Sequence, residues 1–396
     1  MKERPIGVCI IVENLPVPMV RRAWQQALAL KEAGYRVTVI CPKGVGCEAS
    51  RETIEGIEIY RHSVREASGP LGYLLEYSWA LAAEFFLALK AYARTRFRIL
   101  HAWNPPDTIF LIARFFKIFG VRFIFDHLDL CPELYRAKFG REDFFYRLVC
   151  LAERLTFRTA TVSLATNQSY REIAITRGRM PPDRVFTVRV SPEPDKMYRG
   201  PARPELKEGK TYLVVYLGVM GPQDGLDLLL DSVEYIVKTK NRRDVLFVFI
   251  GWGTEAPQLK TRSAANGLES AVKFTGRIPM AELAQYLSTA DIGVAPDPLN
   301  PMNDKSTMGK ILEYMAFGLP VVLFDLTEGR RSAADAALYA RPSDAVDFAE
   351  QILTLLNSES LRRELGDRGR KRIEQIFNWE TDRKALLEAY RVAAAE

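Results

Sequence analysis

The segment Asn303-Asp-Lys-Ser-Thr-Met-Gly-Lys-Ile-Leu-Glu-Tyr-Met-Ala-Phe-Gly-Leu-Pro-Val-Val322 decides the fold of this 396-residue chain. A short apolar run precedes it, its second half has helical spacing that ends at Gly318, and another apolar run follows. Strand, loop, helix and strand in this order are typical of a parallel βαβ unit. In such sheets ligands bind beyond the carboxyl ends of the strands, so we predict a ligand site where this helix begins.

The same alternation continues along the chain and divides it into two halves. Candidate strands of the first half are Ile6–Val12, Tyr35–Cys41, Ile99–Trp103, Arg122–His127, Ala160–Asn167 and Arg184–Val190. Those of the second half are Tyr212–Gly218, Val245–Gly251, Val272–Gly276, Ile292–Pro296 and Pro320–Phe324. Helical patterns include Arg21–Ala33, Glu142–Arg158, Ala345–Ile376 and Glu380–Ala394. A passage rich in proline and charge interrupts the alternation at residues 191–210.

We therefore predict an α/β protein with two doubly wound, Rossmann-like domains that face a cleft. The first domain comprises residues 1–193, the linker 194–210 and the second domain 211–376. Residues 377–396 form a C-terminal helix, for which packing against the first domain is a hypothesis. The length of the chain exceeds what a single hydrophobic core usually organises.

Charge is distributed unevenly between the halves. Residues 1–190 contain 28 Lys and Arg against 19 Asp and Glu, a balance of +9, whereas the remainder contains 27 against 30. One interpretation is an anionic partner of the first half, either a phosphorylated or lipid-linked acceptor or an anionic membrane surface. The other is a solvated surface with surplus arginine. The excess has no interleaved aromatic residues or known module, so we do not expect nucleic acid as a partner.

Cysteine and histidine usage points away from a metal site. The five cysteines have no CxxC spacing and the three histidines are scattered, which indicates reduced thiols and no metal. No apolar run approaches the ~20 residues that span a bilayer. We therefore expect a cytoplasmic protein, with peripheral attachment to the inner face of the membrane as a further hypothesis.

The segment quoted first contains residues suited to a nucleoside diphosphate. Ser306 or Thr307 is expected to cap the helix, so that its free N–H groups and dipole face a diphosphate. Lys310 would neutralise phosphate charge and Glu313 would bind a ribose diol. The alternative is an i,i+3 ion pair between Lys310 and Glu313 on a solvated helix face.

Together with five further stretches, this segment resembles family 4 of the GT-B glycosyltransferases, in particular lipopolysaccharide and exopolysaccharide members. The stretches are Glu13–Arg22, Phe125–Tyr135, Thr166–Tyr170, Tyr216–Gly225 and Asp325–Ser332. The resemblance implies retaining, metal-independent transfer of a sugar from a nucleoside diphosphate, with a UDP or GDP sugar as donor and no cofactor. The acceptor would be a glycan or a lipid-diphosphate-linked molecule in cell-surface polysaccharide or glycolipid synthesis.

The resemblance also assigns roles to residues. Glu313 would bind the ribose, and backbone groups of Gly276, Arg277 and Ile278 would hold the base. The remaining donor-side candidates are Gly218, Gly221, Lys305, Ser306, Thr307, Met308 and Gly309. Positive potential at the leaving diphosphate would come from the start of the helix, Lys305, Lys310, and Arg21 or Arg22. Asp129 is the acceptor-side candidate, with helix capping as its alternative.

The chain departs from the family pattern at several positions. Lys305 stands where the E-x7-E pattern has its first carboxylate, and Val219 and Asp224 replace the usual diphosphate-binding Arg and Lys. Prolines replace a Gly-Gly pair between Glu13 and Arg22.

Leu128 stands where many members have histidine. His127, one residue earlier, either reaches the cleft and replaces that histidine or packs inside the domain. A second hypothesis therefore remains open, namely a catalytically silent relative that binds a nucleotide sugar or a partner enzyme.

Overall fold

The structure is a computed structural model that describes residues 5–63, 69–194 and 196–395, without the side chains of residues 69–77. Residue 195 of the predicted linker lies outside the described residues. The chain forms two compact units, Met1–Val190 with Asp382–Glu396, and Ser191–Thr381. Each unit has its own sheet, with eight strands in the first and six in the second. The prediction of two doubly wound α/β halves is therefore confirmed.

The sheet of the first unit has the strand order β3-β4-β2-β1-β5-β6-β7-β8. The strands are β1 Gly7–Ile11, β2 Arg36–Pro42, β3 Arg51–Ile54, β4 Ile57–His62, β5 Ile99–Trp103, β6 Arg122–His127, β7 Val162–Ala165 and β8 Val185–Thr187. All neighbours are parallel except β3 and β4, which form a hairpin. Apolar runs such as β1 and β5 are buried along their whole length, as expected for parallel strands covered on both faces.

Helices connect these strands. They are α1 Arg21–Glu32, α2 Gly69–Thr95, α3 Phe110–Lys117, α4 Cys131–Phe139, α5 Phe144–Thr159 and α6 Gln168–Thr176. Of the helices that the structure describes, none is long and apolar enough to cross a membrane. Asp143 caps α5 by accepting a hydrogen bond from the Tyr146 amide at 3.1 Å, which fixes where this helix begins.

The sheet of the second unit is entirely parallel, in the order β11-β10-β9-β12-β13-β14. The strands are β9 Tyr212–Leu217, β10 Val245–Ile250, β11 Val272–Gly276, β12 Ile292–Ala295, β13 Val321–Phe324 and β14 Ala337–Ala340. The helices are α7 Leu226–Glu234, α8 Ala256–Ala265, α9 Met280–Thr289, α10 Gly309–Ala316, α11 Thr327–Ala333, α12 Ala345–Asn357 and α13 Glu359–Gln375.

Two hydrophobic clusters pack on opposite faces of this second sheet. Val214 belongs to one cluster and its neighbour Val215 to the other, as the alternation of side chains along a strand requires. The single helix predicted over Ala345–Ile376 is wrong. Ser358 ends α12 and accepts a hydrogen bond from the Leu361 amide at 3.2 Å, so that a new helix begins there.

The last helix, α14, spans Trp379–Ala395. From Asp382 onward it belongs to the first unit. The Tyr390 hydroxyl lies 2.7 Å from Nδ1 of His101 on β5, and the Tyr390 ring meets that of Tyr35 edge-on, with centroids 5.6 Å apart. These buried contacts attach the C-terminal end of the chain to the sheet that its N-terminal residues build.

Candidate donor and acceptor sites

The second unit has a crevice where its strand order reverses, between β9 and β12. Doubly wound sheets bind ligands at such a switch point, beyond the carboxyl ends of the strands. The loop after β9 contains Gly218, and the loop after β12 leads to α10. Asn303 joins the two loops, because its buried side-chain amide donates to the carbonyl of Gln223 at 3.0 Å and to that of Pro298 at 2.9 Å.

Glycines allow the backbone to pack closely at this edge of the sheet. Gly218 has a φ of +150°, and a Cβ there would lie 3.0 Å from the Tyr216 hydroxyl and 3.4 Å from Cε of Lys310. A Cβ on Gly251, which follows β10, would collide with the carbonyl oxygen of Gly218. Gly276 ends β11 with a φ of +71°, and its carbonyl accepts a hydrogen bond from the Gly251 amide at 3.0 Å. The loops after three neighbouring strands thus leave backbone uncovered by side chains.

Lys310 on α10 is a cationic residue at this crevice. Its ammonium donates to both oxygens of Asp297, at 2.8 and 3.1 Å, and lies 4.8 Å from the centroid of the Tyr216 ring. The side chains of Lys310 and Asp297 are only 9% and 3% exposed. This arrangement holds the Lys310 side chain beside Gly218, which has no Cβ. Asp297 was not among the residues predicted from the sequence, although a carboxylate close after a buried strand was an available signal.

The predicted helix cap is wrong. The N-cap residue of α10 is Met308, whose side chain makes no capping hydrogen bond, and both Ser306 and Thr307 precede it. The Ser306 hydroxyl instead donates to the carbonyl of Met302 at 2.8 Å, within the turn that contains Lys305. Gly309 is therefore the first helical residue, and no side chain caps the helix from the N-cap position.

Glu313 is partly buried on the second turn of α10. Its neighbour Tyr314 orients the helix, because the Tyr314 hydroxyl accepts from the Leu217 amide at 2.7 Å and donates to the Val294 carbonyl at 3.2 Å. These bonds tie α10 to the ends of β9 and β12. Of the other predicted donor-side residues, Arg277 is exposed, whereas Met308 and Ile278 pack against the core.

The loop after β9 contains the remaining donor-side positions. Gly221 donates its amide to Oδ2 of Asp224 at 2.9 Å, so Asp224 closes the turn before α7. Burial raises the pKa of Asp224, and the nearby charge of Lys310 opposes that increase. Val219 is 55% exposed, and the Tyr216 hydroxyl donates to its carbonyl at 2.6 Å.

In the first unit, the structure contradicts the hypothesis that Arg22 faces a ligand. Its guanidinium is 5% exposed and donates to the fully buried Asp126 at 2.7, 2.9 and 3.2 Å. It also donates to the carbonyls of Val188 and Arg189, both at 2.9 Å. Burial by itself would raise the pKa of Asp126, but Arg22 and His101 outweigh burial and lower it to about 2. Arg22 thus joins α1 to the interior of the sheet, whereas Arg21 remains partly exposed.

The catalytic interpretation of His127 is also contradicted. His127 is the last residue of β6, has no exposed surface, and its ring lies among those of Phe125, Phe157 and Tyr170 at 5.1–5.4 Å between centroids. Burial, together with the charge of Arg177, lowers its pKa to about 3. A side chain enclosed in this way cannot contact an acceptor, so the alternative of a packed histidine holds.

Asp129 lies on the surface just beyond the carboxyl end of β6. It does not cap a helix, because α4 begins at Cys131 with Leu130 as its N-cap residue. Asn104, which follows β5, shapes this turn. Its side-chain oxygen accepts from the amides of Leu128 at 2.7 Å and Asp129 at 3.1 Å, and its side-chain nitrogen donates to the Asp129 carbonyl at 2.7 Å. Asn104 was not among the residues predicted from the sequence, although it is a polar residue directly after a buried strand.

Two Rossmann-like units, one with a cation-lined crevice at its switch point, define the class of GT-B proteins. Comparison with known families agrees. The family described as "Glycosyl transferase 4-like domain" matches residues 19–190, and "Glycosyl transferases group 1" matches residues 211–358. The chain therefore belongs to the family 4-type glycosyltransferases of the GT-B fold.

Individual relatives are more distant. A phosphatidyl-myo-inositol mannosyltransferase of Mycobacterium leprae is 28% identical over 47% of this chain and 47% of its own length. An O-antigen chain mannosyltransferase B of Escherichia coli is 26% identical over 59% of this chain and 61% of its own. The chain thus spans about half the length of these relatives. A solved sucrose-phosphate synthase of Thermosynechococcus elongatus shares the fold, with a TM-score of 0.81, 18% identity, and coverage of 99% of this chain and 100% of its own.

Proposed function

We propose that this protein is a retaining, metal-independent glycosyltransferase that moves a sugar from a nucleoside diphosphate to a glycan or lipid-diphosphate-linked acceptor. The observation that carries the proposal is Lys310, held by Asp297 beside the uncovered backbone of Gly218. The relatives act in glycolipid and O-antigen synthesis by their names, which supports cell-surface polysaccharide or glycolipid synthesis.

In the proposed reaction, the bond between the sugar and the diphosphate breaks as the acceptor hydroxyl oxygen bonds to the same carbon of the sugar. Negative charge grows on the leaving diphosphate, whose bridging oxygen takes the proton of that hydroxyl. Lys310, Lys305 and the N–H groups at the start of α10 supply positive potential there. Asp297 holds the Lys310 ammonium in position before the donor arrives. Glu313 binds the ribose diol, and the backbone around Gly276 holds the base.

Asp129 is the acceptor-side group of this proposal. The Asn104 side chain fixes the turn that presents it, and this contact does not depend on the residue at position 128. We therefore propose that the protein is an active enzyme with Leu128 in place, and not a catalytically silent relative.

The first experiment is a thermal-shift panel of UDP, GDP and their sugars. Ligand at ~100 times its dissociation constant should add about 2.7 kcal/mol of stability. The panel is repeated on Lys310→Met, which should lose most of the shift from the diphosphate, and on Arg114→Met, an exposed arginine of α3 that serves as control. If no nucleotide shifts the melting temperature of the wild type, the donor site proposed here is wrong.

We further propose peripheral attachment to the anionic inner face of the cytoplasmic membrane. Helix α3 buries its apolar residues Ile112, Ala113 and Phe116, which leaves it Leu111 as an exposed apolar side chain. The exposed surface is instead the α5 apolar face, comprising Phe144, Phe145, Leu148 and Leu151, which are 68%, 59%, 43% and 47% exposed. Arginines at positions 147, 154 and 158 of the same helix are also exposed, as anionic lipid would require.

Flotation with vesicles that contain phosphatidylglycerol tests this attachment. The variant Phe144→Ser/Phe145→Ser should float less than wild type, whereas the control Met280→Ser/Val346→Ser, which removes exposed apolar residues of the second unit, should float normally. High salt should weaken flotation, because the attraction is screened. Equal flotation of all three proteins would exclude the α5 apolar face as the contact.

A further inference from the structure

The first unit contains a cavity that the proposed reaction does not use. It has a volume of about 440 Å³ and lies where α5 ends, between the loop after α6 and the residues that precede β7 and β8. We call it the arginine cavity, because its lining includes Arg154, Arg158, Arg177, Arg179 and Arg184.

The charged residues that line the arginine cavity are all arginines. No carboxylate is among the residues that line it. Arg177 forms ion pairs with Glu133 at 2.7 Å and Glu153 at 2.6 Å, and neither carboxylate lines the cavity. Within the part of the chain that the structure describes, no ion pair is formed by Arg154, Arg158 or Arg179. These three guanidinium groups, which border a concave space and have no counter-ion among the described residues, create a positive potential there.

The shape of the cavity depends on a close contact at its floor. A Cβ on Gly178 would lie 2.7 Å from Cγ of Phe157, so only glycine lets the loop after α6 approach this ring. Arg179 follows in the left-handed region, with a φ of +57°, a conformation that non-glycine residues seldom adopt. Phe157 and Met180 are buried and provide an apolar floor beneath the charged rim.

The cavity lies at the opposite end of the sheet from the acceptor-side turn. Thr161 precedes β7 and Arg184 precedes β8, so the cavity is at the amino ends of these parallel strands. Asp129 follows the carboxyl end of β6, the neighbour of β7. A ligand in the arginine cavity would therefore not occupy the site at which Asp129 meets an acceptor.

We propose that the arginine cavity binds a diphosphate or a similarly clustered phosphoryl group. Arginine is suited to this ligand, because its planar guanidinium donates two parallel hydrogen bonds to phosphate oxygens. The volume is within the range of ~300–1,000 Å³ that is common for small-molecule sites. The phosphoryl group belongs either to a soluble ester or to the headgroup of a lipid, and the experiment below separates these sources.

Arginine footprinting with phenylglyoxal tests the proposal at the level of single residues. Inorganic diphosphate should protect Arg158 and Arg179 from modification, while exposed arginines elsewhere in the unit, Arg98 and Arg114, should react as before. Potassium chloride at equal ionic strength controls for screening. Because the readout is residue by residue, diphosphate bound near Lys310 does not interfere. Absence of protection at Arg158 and Arg179, or equal protection at Arg98 and Arg114, would overturn the proposal.

Two further arms identify the source of the phosphoryl group and test affinity. Protection of Arg179, which is not on α5, by phosphatidate vesicles but not by glycerol 3-phosphate would indicate a lipid headgroup, and the reverse would indicate a soluble ligand. In calorimetry with inorganic diphosphate, Arg158→Gln/Arg179→Gln should lose a binding event, or bind there about 10²-fold more weakly. The control Arg98→Gln/Arg114→Gln, with the same change in charge, should bind as wild type. Equal isotherms for both variants would refute the assignment.

Discussion

Replacing Arg22 by leucine tests whether this residue is structural or catalytic. Its guanidinium neutralises Asp126, which has no exposed surface and whose pKa is held at about 2 against an ordinary 3.8. A difference of that size in a buried carboxylate corresponds to roughly 2.5 kcal/mol of stability at neutral pH. Removal also leaves Asp126 buried without its cation, which typically costs about 3–5 kcal/mol. We therefore expect Arg22→Leu to lower the free energy of unfolding by about 3–5 kcal/mol in urea titrations.

The neighbouring residue provides the matched control. Arg21→Leu changes the same charge at a partly exposed position, so its free energy of unfolding should change by less than about 1 kcal/mol. The double variant Arg22→Leu/Asp126→Leu should be more stable than Arg22→Leu, because no buried charge is then left unpaired. An Arg22→Leu protein that unfolds like wild type but has lost transferase activity would refute the structural role and restore the catalytic one.

Three further predictions concern the donor side, the acceptor side and pH. Glu313→Gln should weaken nucleoside diphosphate binding, measured by calorimetry, by roughly 1.5–3 kcal/mol for each hydrogen bond to the ribose that it removes. The melting temperature of the ligand-free protein should not change. An unchanged affinity would exclude ribose binding by Glu313. Asp129→Ala should reduce turnover by about 10²–10⁴-fold with donor affinity intact, whereas Leu128→His should matter little; transfer that appears only with Leu128→His would identify a silent relative. His127 stays neutral in the folded protein down to about pH 3, but in the unfolded chain it binds a proton below its usual pKa of 6.5. Stability therefore falls as pH decreases below 6.5, and between pH 6.5 and 5 the wild type should lose about 1.6 kcal/mol more than His127→Phe in paired urea titrations. Parallel profiles would contradict the burial of a neutral histidine.

Much of the fold was predictable because buried parallel strands carry a local signal. A strand covered on both faces must be apolar along its whole length, and the predicted bounds of β5, β6 and β11 agree with the structure. The end of α10 was predictable for a similar reason, since Gly318 adopts a φ of +64° just beyond it. The hairpin of β3 and β4 was missed, because β3 is half exposed and has no apolar run.

The helix boundaries that failed depended on single side chains. Ser306 and Thr307 are good capping residues, yet the chain enters the helix two or three residues later, after a turn that Ser306 itself closes. Ser358 was not recognised as a cap within a long helical pattern. Capping residues are common outside caps, so their type alone does not indicate where a helix begins.

From the sequence by itself, one could determine the α/β class, the two doubly wound halves and the family, all of which depend on local apolar runs and short motifs. Only the tertiary structure decided which charges meet. Lys310 pairs with Asp297, and Arg22 pairs with Asp126 across 104 positions of the chain. His127 and Asp129 stand two residues apart, yet one is enclosed and the other exposed. A sequence shows that a charged or polar side chain exists, but its environment depends on which distant segments fold against it, and that environment determines whether it stabilises the protein or is available to a ligand.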